Sequence, residues 1–259
     1  MNVVLPAPVR TLLGVWAHPD DEAYLSAGLM AHVRQAGGRV AVVTASRGEH
    51  GTPDPELWPP DRLAPVREHE LMESLAVVGV RDHQWLGYPD GGLPDIHAAM
   101  AVARLARIMR RVRPDLVVTF GGDGMTGHDD HRTVSGWVTQ AWLDTGCRSA
   151  LWYATLTPEF HDEWGKLNDS VGLWFEGCTP PVTPHSELAA EIRCTGSLLD
   201  TKYRALRAHA SQTRMLEDLV GTEQFRRWWA TESFVAVVPA GTSLSPASDS
   251  GSVLTGVTG

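Results

Sequence analysis

Ala17-His18-Pro19-Asp20-Asp21-Glu22 follows the apolar run Leu12-Leu13-Gly14-Val15-Trp16 and leads into Ala23-Tyr24-Leu25-Ser26-Ala27-Gly28-Leu29-Met30. The order reads as a buried strand, a short acidic loop and a helix. Open α/β sheets gather ligands at the carboxyl ends of their strands. One histidine and three carboxylates therefore stand where such a sheet presents its chemistry. Two adjacent aspartates raise each other's pKa unless something positive compensates them. A divalent cation is the economical compensation, and Gly127-His128-Asp129-Asp130-His131 offers a second cluster to complete its ligands.

From this loop outward the chain alternates. Ala23, Ala27, Met30 and Val33 sit near helical spacing over 22–36, and Gly37-Gly38 ends that helix. The continuous apolar run over 40–45 suits a parallel strand buried on both faces. A Pro-rich loop follows, then a helix over 61–78, a short strand over 80–86 and a turn at Tyr88-Pro89-Asp90-Gly91-Gly92. An amphipathic helix over 96–111 closes with Arg107, Arg110 and Arg111, which complement its dipole. A strand over 116–120 opens into a Gly-rich loop, and a helix runs from His131 to about 143. This β-α-β-α-β-α-β-α order predicts an α/β fold: a Rossmann-like, doubly wound, mostly parallel sheet with helices on both faces.

Past 149 the pattern loosens. Strands are expected over 151–156 and 233–238, helices over 158–167, 198–209 and 223–229, and a strand or extended loop over 188–195. The expected organisation is one domain over 1–239. Residues 12–145 form its β-α core with the metal site, 146–239 complete the sheet and the cleft, and the Ser-, Gly- and Thr-rich stretch 240–259 is a flexible tail.

A length of 259 residues and a hydrophobic content of 43% suit a sizeable soluble core. The formal net charge of −9 argues against a nucleic-acid partner, which would need a basic patch. No apolar run reaches about 18 residues, so no membrane span is expected, and no secretory leader is visible. The three cysteines, Cys147, Cys178 and Cys194, form no C-x-x-C pair. They read as reduced, buried thiols and make the cytoplasm the expected location.

His18, Asp21 and His131 would supply the nitrogen and oxygen ligands of one catalytic Zn2+ with an open fourth position. Fe2+ or Co2+ would accept the same ligands. Such an ion makes water acidic near neutral pH and polarises a carbonyl. Asp20 cannot easily bind the same ion as Asp21 in a tight turn and is better placed as general base. His128, if protonated, could stabilise an oxyanion or donate to a leaving amine, and Asp130 could orient that imidazole.

These two motifs resemble the LmbE-like, or PIG-L, family of zinc-dependent N-deacetylases. Smaller echoes are Arg47-Gly48-Glu49-His50-Gly51, Arg67 with Glu70-Leu71, the Tyr88-Pro89-Asp90-Gly91-Gly92 turn, and Lys202, Ala205, His209, Ser211 and Gln212. The resemblance spans 12–238. It implies a Rossmann-like fold, His18, Asp21 and His131 as zinc ligands, Asp20 as general base, His128 at the oxyanion and Asp130 in support. It implies removal of the N-acetyl group from an amino-sugar derivative such as an N-acetylglucosaminyl compound, with Arg67 and Asp90 touching the sugar. The chain departs from the pattern at Thr126, where some members carry a tyrosine, and at Asp129, where a proline is usual.

Other readings stay open at this level. The chain could be an amidase or deacylase acting on a thiol-sugar conjugate or a secondary metabolite. A non-catalytic sugar-binding module would have lost Asp20 or a ligand, and a phosphoesterase would want more basic clamps than Arg47 and Arg67. Trp58, Trp85 and His209 could border the cleft, whereas Trp137, Trp142, Trp228 and Trp229 suit packing. The expected partner is a small amino-sugar substrate, with a homo-oligomer possible.

Overall fold

β1 (Thr11–Trp16), β2 (Arg39–Thr44), β3 (Asp82–Trp85), β4 (Leu116–Phe120) and β5 (Ala150–Thr155) run parallel in the computed structural model. The structure describes residues 9–52 and 54–239, so the expected tail over 240–259 lies outside the described residues. β6 (Ala190–Arg193) and β7 (Thr231–Ala236) complete a seven-stranded sheet of order β3-β2-β1-β4-β5-β7-β6. β7 is antiparallel to both of its neighbours. The doubly wound, mostly parallel expectation is met, with a reversed strand near one edge.

The apolar runs explain which strands are central. Every residue of β4, and every residue of β1 after Thr11, is buried, as two-sided helical cover requires. From β1 the chain moves to β2 and β3 on one side, then crosses to β4 and β5 on the other. Right-handed crossovers put helices on opposite faces when the direction reverses. α1 (Asp21–Gln35) and α2 (Pro60–Val77) pack with α6 (Gly196–Ala208), while α3 (Ala98–Val112) packs with α4 (Asp129–Asp144). The crevice between β1 and β4 is the topological switch point, where such sheets bind ligands. Both acidic-histidine motifs leave the sheet there.

The last third grips α1 through buried charges. Glu232 on β7 accepts the Gly28 and Leu29 amides at 2.7 and 2.9 Å. Lys202 on α6 meets Glu232 at 2.5 Å and donates to the Tyr24 carbonyl at 2.7 Å. Both side chains of this ion pair are fully buried. Gly28 makes the approach possible, because a Cβ there would collide with Cys194 Sγ.

Three further helices are α5 (Pro158–Ser170), α7 (Ala210–Val220) and α8 (Thr222–Trp228). α7 has no counterpart in the sequence expectation. Of its residues only Thr213 is buried, so the inward-facing stripe that marks most helices is missing. Trp137, Trp142, Trp228 and Trp229 are buried as expected. Of the cysteines, only Cys194 is buried, which corrects the expectation for Cys147 and Cys178.

Candidate metal centre

The floor of the crevice is aromatic. Trp16 at the end of β1 meets Phe120 at the end of β4 edge to face, with centroids 5.0 Å apart. The Phe120 ring in turn stacks under His131 at 4.1 Å. Strand ends thus set the height and tilt of the imidazole above them.

His18 Nδ1, His131 Nε2 and the Asp21 carboxylate converge above that floor. The two nitrogens are 3.1 Å apart. His131 Nε2 lies 3.4 Å from Asp21 Oδ1, and His18 Nδ1 lies 3.8 Å from Asp21 Oδ2. Ligands about 2.0–2.1 Å from a tetrahedral ion stand about 3.4 Å from one another, so these separations bracket the requirement. The other ring nitrogens decide the tautomers. His131 Nδ1 donates to the Gly124 carbonyl at 3.0 Å. His18 Nε2 donates to Asp130 Oδ2 at 3.1 Å and to Asp90 Oδ1 at 3.0 Å. Each ring therefore turns a lone pair toward the other and toward a carboxylate. Three electron-rich atoms face one point, which fits a cation.

The electrostatics agree. Burial opposes charge on His18, but hydrogen bonds to Asp130 and Asp90 and the charge of Asp21 outweigh it and push its pKa up to about 10. Burial, with the neighbouring His18 and His128, holds His131 well below the usual histidine range. The surroundings call for positive charge at His18 Nδ1 and leave the facing nitrogen bare.

Two other groups each bring three ligand atoms within 4.8 Å of one another: His18 with His128 and His131, and His18 with Asp90 and Asp130. Proton placement argues against His128 as a ligand. Its Nδ1 accepts the Asp130 amide at 3.1 Å, so the neutral ring carries its hydrogen on Nε2. Binding an ion through Nε2 would move that hydrogen to Nδ1, against another N–H. Asp90 and Asp130 serve the far side of His18. Asp130 accepts Gly91 N at 2.8 Å and Leu93 N at 3.1 Å, and Asp90 accepts His50 N at 2.8 Å.

The Asp130 carboxylate orients His18 where the sequence suggested His128, and only its backbone amide meets His128, because residues two apart at a helix start point in different directions. An imidazolium at His128 would lose that amide, and burial with the nearby His18 charge lowers its pKa. His128 thus offers a neutral Nε2–H donor.

Asp20 sits beside the cradle with φ 110°, a strained value for any residue but glycine. The strain is held from three directions. Its amide donates to Glu22 Oε2 at 3.0 Å, Arg67 donates to the Pro19 carbonyl, and Arg67 also meets Asp20 Oδ2 at 3.1 Å. Burial raises the Asp20 pKa to about 7 against the opposing Arg67 charge. Glu22 does more than start a helix. It is fully buried and accepts from Ser74 at 2.9 Å and from His209 Nε2 at 2.7 Å. Burial opposes its ionisation, yet His209 holds it below the usual carboxylate range.

A cavity of about 560 Å³ opens over these groups. Arg67 and Asp90 border it, as the sequence suggested, and both are also tied into the protein: Arg67 to Asp20, Pro19 and Gly48, Asp90 to His18 and His50. His209 lies beneath Glu22, away from the lining, and neither Trp58 nor Trp85 borders the cavity. Asp129 points outward, 77% exposed, and pairs with Arg132. The lining adds residues that no motif marked: Tyr24, Val171, Leu173, Phe175 and Leu216. A lone tyrosine in an apolar helix start and scattered aliphatics past 170 carry no pattern of their own.

A Rossmann-like sheet with a His-Asp-His cradle at its switch point and a buried carboxylate beside it defines a class of α/β proteins built for metal-assisted chemistry. The chain belongs to the PIG-L family, whose model, described as GlcNAc-PI de-N-acetylase, matches residues 13–142. It is 34% identical over 244 residues to a 1D-myo-inositol 2-acetamido-2-deoxy-alpha-D-glucopyranoside deacetylase of Salinispora arenicola, covering 82% of this chain and 79% of that one. Among solved structures it resembles N,N'-diacetylchitobiose deacetylase from Pyrococcus horikoshii, with a TM-score of 0.65 at 22% identity over 95% of this chain and 91% of the other. It also resembles the 4-carboxy-2-hydroxymuconate hydratase of Pseudomonas putida KT2440, with a TM-score of 0.61 at 18% identity over 91% and 99%. At such identities the likeness is one of fold, and the hydratase shows that this fold hosts more than one chemistry.

Proposed function

We propose that this chain is a metal-dependent hydrolase that removes the N-acetyl group from an amino-sugar derivative, with His18, Asp21 and His131 holding one divalent cation, zinc foremost. The observation that carries the reading is the convergence of two imidazole lone pairs and a carboxylate beside a strained, buried Asp20. The deacetylase named among its relatives supports the substrate class. Bound in this cradle, such an ion supplies Lewis acidity, polarising an acyl carbonyl and acidifying a water.

The chain's own residues do the rest. Asp20 takes a proton from the attacking water as its oxygen bonds to the acyl carbon. His128 donates its Nε2–H to the carbonyl oxygen as charge gathers there. Asp130 and Asp90 keep His18 in one tautomer. When the carbon–nitrogen bond breaks, Asp20 returns its proton to the departing amine, so acetate and a free amino sugar leave. Among the described residues no helix is long and apolar enough to cross a membrane. We place the enzyme in the cytoplasm, where its small substrate and free thiols fit together.

Purified protein should release acetate from an N-acetylglucosaminyl compound, and a chelator should abolish the release. Asp20→Ala should keep its metal by elemental analysis and lose at least a hundredfold in kcat. Full activity in that variant would remove Asp20 from the mechanism.

A further inference from the structure

The cavity has two kinds of wall. One is the cradle with Asp20 and His128. The other is apolar and begins at His128 itself, whose ring meets Phe175 edge to face with centroids 4.8 Å apart. Val171 and Leu173 continue that wall on the chain after α5, and Leu216 continues it on α7. The wall is tied to the reactive loop, because Phe175 N donates to the Thr126 carbonyl at 2.9 Å.

α7 extends the apolar surface beyond the cavity. Gln212 and Leu216 line it, and Met215 and Leu219 fall on the same helical stripe at three- and four-residue spacing. Met215 is 67% exposed, Leu219 66% and Phe175 54%. Uncovered large apolar groups are ordinary when scattered singly. Here Phe175 lines the cleft, and Met215 and Leu219 stand within one helical turn of its lining residues Gln212 and Leu216; apolar groups gathered beside a cleft mark a binding site.

The polar side of the ledger is short. Arg67, Asp90 and Asp20 bond protein partners. With His128 committed to the acyl carbonyl, the side chains left to meet hydroxyls are Tyr24, His50, Thr126 and Gln212. That suits one sugar ring. A second polyol ring lying against Leu173, Phe175 and Leu216 would lose water from its hydroxyls without gaining partners, which is costly.

We propose that the substrate is amphiphilic: one N-acylated amino-sugar ring carrying an extended alkyl or aryl group that lies along Leu173, Phe175, Leu216 and Leu219. This inference rests on the hydrolase reading above and narrows its substrate class. Two attachments give such a substrate, the acyl chain and the aglycone, and the test separates them.

The test measures kcat/KM, below the critical micelle concentration, for three substrates: methyl N-acetylglucosaminide, octyl N-acetylglucosaminide and methyl N-octanoylglucosaminide. At least one octyl substrate should exceed the methyl acetyl reference by roughly tenfold or more, which is what about two buried methylenes supply. The faster of the two shows which side of the amide carries the group. The double variant Leu216→Asn/Leu219→Asn should bring the octyl-to-methyl ratio close to one. Equal kcat/KM for all three substrates, or a ratio that the double variant leaves unchanged, overturns the inference while the hydrolase reading stands. No turnover of any of the three by metal-loaded protein overturns both.

Discussion

His128 illustrates how one backbone hydrogen bond assigns a role. Because its Nδ1 receives the Asp130 amide, the ring can donate from Nε2 but can neither bind an ion nor take a second proton without losing that bond. His128→Asn should therefore leave the bound metal unchanged by elemental analysis. Its kcat should fall about 10²–10³-fold, the usual cost of one oxyanion donor. Loss of metal in that variant would make His128 a ligand instead. The residue types at the cradle were legible in the sequence, since His18, Asp20, Asp21, Asp130 and His131 all belong to the two motifs. Their partnerships were not. Whether Asp130 serves His128 or His18 depends on side-chain direction at a helix start, which spacing does not encode. Arg67 looked like a free cation for the same reason: its acceptors, Pro19 and Gly48, are backbone carbonyls far away in the chain.

At the scale of elements, the central strands announced themselves through unbroken Val, Leu and Ala runs. β3 is only half-buried along its length, yet it falls inside the short strand expected over 80–86; α7, which covers little, has no strong pattern and went unread. β3 nevertheless carries a titratable group with a defined effect. His83 lies at the edge of the sheet with its Nε2 3.1 Å from Thr44 Oγ1. Burial lowers its pKa to about 4. The unfolded chain therefore binds a proton near the ordinary value, about 6.5, while the folded chain does not until near pH 4. Where the unfolded state binds more protons, stability rises with pH. His83 thus has no effect on this slope above about pH 6.5 and destabilises the fold progressively from there down to about pH 4, by on the order of 3 kcal/mol at most. His83→Gln should flatten the acid side of a plot of unfolding free energy against pH. An unchanged slope would mean that His83 protonates freely in the folded state.

Across the whole molecule, the first and last thirds are joined through α1. Lys202 and Glu232 are fully buried together, and Glu232 also caps two amides of the helix that presents Asp21. Breaking a buried pair strands its partner, which typically costs 3–5 kcal/mol. Glu232→Ala should lower unfolding free energy by about that amount in urea titrations, and a loss below about 1 kcal/mol would show that Lys202 finds other partners. The doubly wound order was readable because the β-α alternation dictates it, whereas the reversed β7 was not. Antiparallel placement there follows from long-range pairing between Trp152 and Ala236 and between Ala190 and Phe234, for which no local residue signal exists. The Lys202, His209 and Ser211 motif shows the same limit. Each residue answers a carboxylate elsewhere in the chain, respectively Glu232, Glu22 and Glu70. Chemistry marks them as worth attention, but only the fold shows that they brace buried carboxylates and do not line the cavity.

The backbone at position 20 has a consequence for how such a chain changes over generations. A glycine there would relieve the φ of 110°, so on grounds of durability alone drift would favour replacing the aspartate. The proposed base therefore occupies a place that the fold does not reward. It persists only while turnover is selected, and a descendant freed from that demand would be expected to shed Asp20 early and keep the surrounding cradle longer.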